Sequence, residues 1–277
     1  MDIQGSRVLV LGGSGLVGMA VCRELLRREP ETLIVHGRRP DRAEAAVREL
    51  ESRSGDTRIA AATGDIFSLR GEPSERERVL AQVRQLRPGD LDEFTLYRLL
   101  ADSRADIVVD CVNTATGIAY RDLFKATERV AVELDRGEAS VEGIEHLLES
   151  LYVPRLIRHV QIMYRGMTNT GTRVYIKVGT SGTGGMGFNI PYTHSEERPS
   201  RMLLSKSAVA GAHSMLLFLM ARTPGAPVTK EIKPAAAIAW KQIAAGPIYR
   251  RGVPVRMVDA APRPLGDTFS THDPGAA

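Results

Sequence analysis

The chain has 277 residues, 43% hydrophobic and 25% charged, with a formal net charge of +4 and a pI of about 9.2. That length and balance suit one large α/β domain, or one domain with a small cap. The arginines are scattered rather than gathered into a basic stripe with interleaved aromatics, which argues against a nucleic-acid partner.

In chain order, the apolar run Arg7–Leu11 reads as a first strand and residues 16–28 as a first helix. A second strand at 32–36 leads into Gly37-Arg38-Arg39-Pro40 and a charged helix at 41–52, with Asp41 as its cap. A third strand at 58–63 ends in Gly64-Asp65-Ile66. The polar stretch 67–104 reads as two helices, 75–86 and 91–100, split by Pro88-Gly89. A fourth strand follows at 106–112, then helices at 118–136 and 141–165, the latter with Pro154 as a kink or boundary. A fifth strand at 173–178 opens a glycine-rich loop, 179–187; a helix at 200–221 and a sixth strand at 228–232 complete the pattern. From about residue 246 the chain is rich in proline, glycine and arginine. The division expected is a domain over 1–245 and a short, partly disordered C-terminal extension, or the remnant of a truncated substrate region, over 246–277. Two cysteines, Cys22 and Cys111, show no metal-ligand spacing, so no metal is expected and a reduced, cytoplasmic compartment fits. No apolar run reads as a membrane span and no signal peptide opens the chain.

Strand and helix alternate, so the fold expected is a doubly wound parallel α/β sheet of the Rossmann type. Its most informative segment is Gly12-x-x-Gly15-x-x-Gly18, between the first strand and the first helix. Glycine allows the tight turn and a close backbone approach to a pyrophosphate, and the helix N-terminus offers that anion unpaired N–H groups and a favourable dipole. Gly12, Ser14, Gly15, Leu16, Val17 and Gly18 are therefore the expected dinucleotide cradle. The end of the second strand selects between cofactors: an acid there bonds a ribose 2′-hydroxyl, whereas arginine suits a 2′-phosphate. Arg38 and Arg39 stand there, with no acid before Asp41, so NADP is expected over NAD.

These landmarks together resemble the short-chain dehydrogenase/reductase family, in its extended or atypical branch of epimerase and dehydratase relatives. Asp65-Ile66 resembles the adenine-contacting pair of that family, Cys111-Val-Asn113-Thr-Ala115 its cofactor-cleft segment, and Gly179-Thr-Ser181-Gly-Thr183-Gly its serine-rich segment. Ile190-Pro191-Tyr192-Thr193 and Glu196-Glu197 follow in the same succession. The resemblance implies that Lys206 is the active-site lysine that also holds the nicotinamide ribose. One helical turn before it, where the family carries tyrosine, stands Met202. Methionine exchanges no proton, so the acid is unassigned; Tyr192 is its first candidate and His194 its second. Ser181 and Thr183 are the expected holders of a substrate oxygen.

The function expected is an NADP-dependent oxidoreductase acting on a carbonyl or alcohol of a small molecule. Alternatives are a non-catalytic NADP-binding sensor or interaction module, and a nucleotide-sugar epimerase or dehydratase. The partners expected are a small-molecule substrate and a second copy of the chain, with neither nucleic acid nor membrane. Leu147, Leu148, Leu151, Leu156 and Ile157 are candidates for the dimer face.

Overall fold

An apolar run without polar alternation belongs in the middle of a parallel sheet, covered on both faces. β1 (Arg7–Leu11) is there: Val8, Leu9, Val10 and Leu11 are fully buried. The computed structural model describes residues 2–119, 123–179, 201–232, 249–250 and 253–254. Around β1 stand β2 (Thr32–Gly37), β3 (Arg58–Thr63), β4 (Ile107–Asp110), β5 (Val174–Val178) and β6 (Val228–Ile232), in the order β3-β2-β1-β4-β5-β6. Every pairing is parallel. This is the doubly wound Rossmann sheet, with its order reversing between β1 and β4, where Val8 faces Ile107 and Leu11 faces Asp110.

Alternate strand residues enter two cores, as a period of two requires. Val8, Val10, Leu33 and Val35 pack under α1 (Leu16–Leu26) and α2 (Pro40–Glu51), against Met19, Cys22, Leu25, Val47 and Leu50. Leu9, Leu11, Val108 and Tyr175 face the other side. There they meet Leu96, Leu99 and Leu100 of α4 (Thr95–Ser103), and Val160, Met163 and Met167 of α8 (Tyr152–Thr170). Leu217 and Met220 of α9 (Arg201–Ala221) complete that core. The remaining helices are α3 (Glu75–Val83), α5 (Thr114–Ala119), α6 (Leu123–Asp135) and α7 (Val141–Glu149). The chain divides into two units, Met1–Ala237 and Ile238–Ala277; the described part of the second is the antiparallel pair β7 (Tyr249–Arg250) and β8 (Val253–Pro254).

Several elements differ from the sequence reading. The charged helix begins one residue earlier, with Arg39 at the N-cap and Pro40 inside, so Asp41 is a first-turn acid rather than the cap. Residues 88–93 form a separate 3-10 turn before α4. Helix 141–165 is two helices, α7 and α8, and Pro154 lies in the first turn of α8, where the missing N–H costs nothing. β4 stops at Asp110 because the Asp110 carboxylate, not a neighbouring strand, takes the Val112 N–H at 2.9 Å. Leu156 is buried in the core and is no dimer-face residue, whereas Leu148 and Ile157 are exposed. A run long and apolar enough to span a membrane does exist, contrary to the sequence reading: Leu204–Ala221, mean hydropathy 1.3. It is the body of α9, which packs against α5, α8 and β6 and sends Val209, Leu217 and Met220 into the core.

Candidate functional site

The C-terminal ends of β1, β2, β3, β4 and β5 form one crest. At its centre β1 ends in Gly12, whose φ of +72° is the left-handed conformation that glycine adopts without strain. Gly13 N–H bonds Val10 O at 3.1 Å and Gly15 N–H bonds Gly12 O at 3.0 Å, folding the chain tightly into α1. Gly18 must be glycine for another reason. A Cβ there would lie 2.1 Å from Gly12 O and 2.6 Å from Gly13 Cα, so the helix sits directly on the turn.

The N-terminus of α1 has Gly15 at the N-cap, no side-chain cap and no acid in its first turn. Its first N–H groups and its positive dipole end are therefore left to an external anion. A Cβ on Gly15 would meet nothing nearer than Gly12 O at 3.3 Å, so the outer side of the turn is open. Leu16 is 92% exposed and Val17 is exposed beside it, two large apolar side chains on the rim of a polar turn. This cradle fits a pyrophosphate.

His36 at the end of β2 is a site residue that the sequence reading passed over. Its Nδ1 accepts the Gly12 N–H at 3.3 Å and its Nε2 pairs with Gly64 O at 3.0 Å. A carbonyl only accepts, so Nε2 carries the proton and the ring is neutral. Burial lowers the pKa of His36, outweighing the carbonyl bond and the nearby Asp110 and Asp65. The imidazole thus ties β1, β2 and β3 together under the turn.

Next along β2 come Gly37 and the two arginines. A Cβ on Gly37 would reach 2.4 Å from Ser14 Oγ, so Ser14 packs directly over it. Arg39 is held by Asp41, through Nε to Oδ1 at 3.0 Å and through Nη2 to Oδ2. Its hydrogen bond and charge also lower the Asp41 pKa. Arg38 is exposed and pairs with no group among the described residues. At the end of β3, Asp65 Oδ1 accepts the Phe67 N–H at 3.0 Å and caps its own turn, and Ile66 is buried in the core.

Across the switch point, Asp110 is fully buried and forms a network that the sequence reading also missed. Its Oδ2 pairs with Lys177 Nζ at 2.9 Å and accepts the Tyr175 hydroxyl at 2.9 Å. Burial pushes the Asp110 pKa up, but the charge and hydrogen bond of Lys177 outweigh it and the net direction is down. Burial, then Asp110, push the Tyr175 phenol well above its ordinary range. Lys177 also donates to Val112 O at 2.5 Å and to Thr114 Oγ1 at 3.1 Å. Asn113 lies exposed on this turn, where its carbonyl takes the Gly117 N–H at 2.9 Å. Behind it, on α8, burial lowers His159 to a pKa of about 3, helped by the neighbouring His213.

Positions 202 and 206 both lie in α9, one helical turn apart, and Lys206 is half-buried. Ser181, Thr183, Tyr192 and His194 lie outside the described residues. A groove of about 980 Å³ among the described residues lies elsewhere, lined by residues from 69–94 and Arg158. It mixes four arginines with five carboxylates, so its charge favours no anion.

Residues 6–89 match the family model of the KR domain. The match spans β1, the glycine turn, α1 and the arginines after β2. No curated protein sequence matches the chain. Solved structures similar to it include Pen from Bacillus thuringiensis, at 12% identity over 83% of this chain and 49% of that one, with a TM-score of 0.45. A short-chain type dehydrogenase/reductase from Mycobacterium ulcerans is 20% identical over 80% of this chain and 63% of that one, with a TM-score of 0.41. L-Sorbose reductase from Gluconobacter frateurii, solved with NADPH and L-sorbose, is 18% identical over 80% of this chain and 65% of its own, with a TM-score of 0.42. The chain thus spans half to two thirds of the length of these three.

Proposed function

We propose that the chain is an oxidoreductase of the short-chain dehydrogenase/reductase type that uses NADP and acts on a carbonyl or alcohol of a small molecule. The observation that carries this reading is the glycine cradle. It has an uncapped helix N-terminus, an open outer side and a turn that only glycine permits, and it lies at the switch point of a doubly wound sheet. The N–H groups of residues 16 and 17 hold the pyrophosphate, and the Leu16 and Val17 side chains cover it with apolar surface. Arg38 reads the 2′-phosphate, while Arg39 is already neutralised by Asp41. Asp65 has one oxygen left to reach an adenine, and Asn113 marks the floor of the nicotinamide end.

When bound, the dinucleotide supplies or accepts a hydride. The chain's part is to place that transfer and to move a proton. By its resemblance to the family's active-site lysine, Lys206, one turn from position 202 on α9, serves the ribose with its ammonium and raises the positive potential around the substrate oxygen. Ser181 or Thr183 orients that oxygen. Methionine at 202 leaves the proton to another donor, and Tyr192 is the first candidate, with His194 the second. In the same reading the protein is a cytoplasmic homodimer, with the exposed Leu148 and Ile157 at the face between copies.

Methionine at 202 also supports a second reading, a nucleotide-binding module without turnover. One assay separates the two: NADPH oxidation against a panel of simple carbonyls. Turnover by the wild type that Lys206→Ala abolishes supports the oxidoreductase. No wild-type turnover, with activity created by Met202→Tyr, replaces it with the binding module.

A further inference from the structure

Lys177 is a charged residue flanked in β5 by Ile176 and Val178, and its side chain is 3% exposed. An ammonium has three N–H donors, and all three are used: Asp110 Oδ2, Val112 O and Thr114 Oγ1. The two latter acceptors belong to the turn 112–114, which joins β4 to α5. The third, Asp110, itself holds that turn by accepting the Val112 N–H. The network therefore clamps the turn at both polar groups of Val112.

The clamped turn is one wall of the cradle. A Cβ on Gly12 would lie 3.1 Å from Val112 Cγ2 and 3.3 Å from Val112 N, so β1 packs on Val112 with no slack. On the far side of Gly12, its N–H is fixed by His36, and His36 is fixed by Gly64. One continuous line of contacts thus runs along the crest from β5 to β3: Lys177, Val112, Gly12, His36, Gly64. Two residues beyond Lys177, the Gly179 N–H still bonds Ile232 O of β6 at 3.0 Å.

We propose that Lys177 is a positioning residue for the dinucleotide. By clamping Val112–Thr114 to β5 it fixes the wall against which the phosphate turn closes, and it ties the end of β5 to that turn. It touches no cofactor itself. The proposal rests on the nucleotide reading above, which supplies the ligand.

Thermal stability and equilibrium NADPH affinity, each read on Lys177→Met, Asp110→Asn/Lys177→Met, Thr114→Val and Thr114→Ser, test it. Lys177→Met strands the buried Asp110 charge, so it lowers the melting temperature whatever its role. The double variant removes that stranded charge. It is expected to regain much of the melting temperature while NADPH binding stays weakened about tenfold or more, since the turn is still unclamped. Thr114→Val deletes one acceptor at nearly constant shape and weakens NADPH binding, and Thr114→Ser, which keeps the hydroxyl, restores it. A double variant that regains both stability and affinity would make Lys177 merely structural and overturn the proposal. So would a folded Thr114→Val that binds as the wild type does. Failure of the wild type itself to bind NADPH overturns the nucleotide reading and this proposal with it; wild-type binding beside unperturbed variants overturns this proposal alone.

Discussion

Gly18→Ala sets two known effects against each other. In an ordinary helix interior, alanine stabilises over glycine by about 1 kcal/mol, because glycine loses more backbone freedom on folding. At position 18 the added Cβ would lie 2.1 Å from Gly12 O and 2.6 Å from Gly13 Cα, both backbone atoms that no rotamer change moves aside. Helix and turn must part by about 1 Å to reach even a tight contact, and overpacking of this kind costs about 1–3 kcal/mol or more. The cost exceeds the propensity gain, so the melting temperature falls, by about 2–4 °C for each net kcal/mol in a domain this size. Separation also displaces the N–H groups that face the pyrophosphate, so NADPH affinity falls with it. Gly211→Ala is the matched control, since a Cβ there, inside α9, meets nothing within 4 Å. That variant is expected to stabilise by up to about 1 kcal/mol. Urea unfolding of the two variants beside the wild type measures both effects. A Gly18→Ala protein as stable as the wild type, with full nucleotide affinity, would refute the close-packing argument.

Arg38→Ala is expected to weaken NADPH about tenfold, or 1.4 kcal/mol, and to leave NADH unchanged; Arg39→Ala does less, because Asp41 already neutralises that guanidinium. Equal losses for both nucleotides on Arg38→Ala would contradict the 2′-phosphate assignment. Acid should destabilise the fold early. His36 and His159 have lowered pKa values, the latter about 3, so the unfolded chain binds more protons below its ordinary histidine pKa of about 6.5. The contribution of the two rings is flat above that pH and drops by up to about 1.4 kcal/mol per unit for each ring as pH falls toward its folded value, and the depressed Asp110 adds to the loss only below about pH 4. Urea unfolding at pH 7.5, 6.5 and 5.5 checks this, with His159→Leu expected to reduce the slope; stability that holds or rises toward pH 5.5 would contradict it. Tyr175→Phe removes a buried hydroxyl bond to a carboxylate and should cost about 1.5–3 kcal/mol in the same assay, and a neutral result would show that the network does not depend on the phenol.

The sequence was most legible where one signal was strong by itself. The bounds of β1, β3 and β6 agree with the sequence reading, and β1 and β3 each run into a glycine, Gly12 and Gly64. The glycine turn declared itself because only glycine satisfies both the left-handed Gly12 and the contact at Gly18. The polar stretch 67–104 was less legible: its helices are short, and the 3-10 turn at 88–93 interrupts the periodicity that a longer helix would show. Leu156, a candidate for the dimer face, lies in the core, because periodicity shows which residues share a face, not which neighbour covers it.

The clamp and the tie were hidden for a different reason. Asp110 and Lys177 are 67 positions apart and meet only because β4 and β5 are adjacent. The signal available was compositional: one acid ending Ile-Val-Val-Asp and one lysine inside Val-Tyr-Ile-Lys-Val, in strands otherwise apolar. A charge in a strand that the pattern buries calls for a partner, and here the partner is the other charge. His36 gave less warning, since its role depends on a backbone N–H from one neighbouring loop and a carbonyl from another.

The most direct test of the central claim is an equilibrium titration of the wild-type chain with NADPH and with NADH, followed by nicotinamide fluorescence. The account predicts saturable binding of one NADPH per chain, about tenfold or more tighter than NADH, with that preference lost in Arg38→Ala. No saturable binding of either nucleotide up to about 1 mM would contradict it, because a site weaker than about −4 kcal/mol is no dinucleotide cradle.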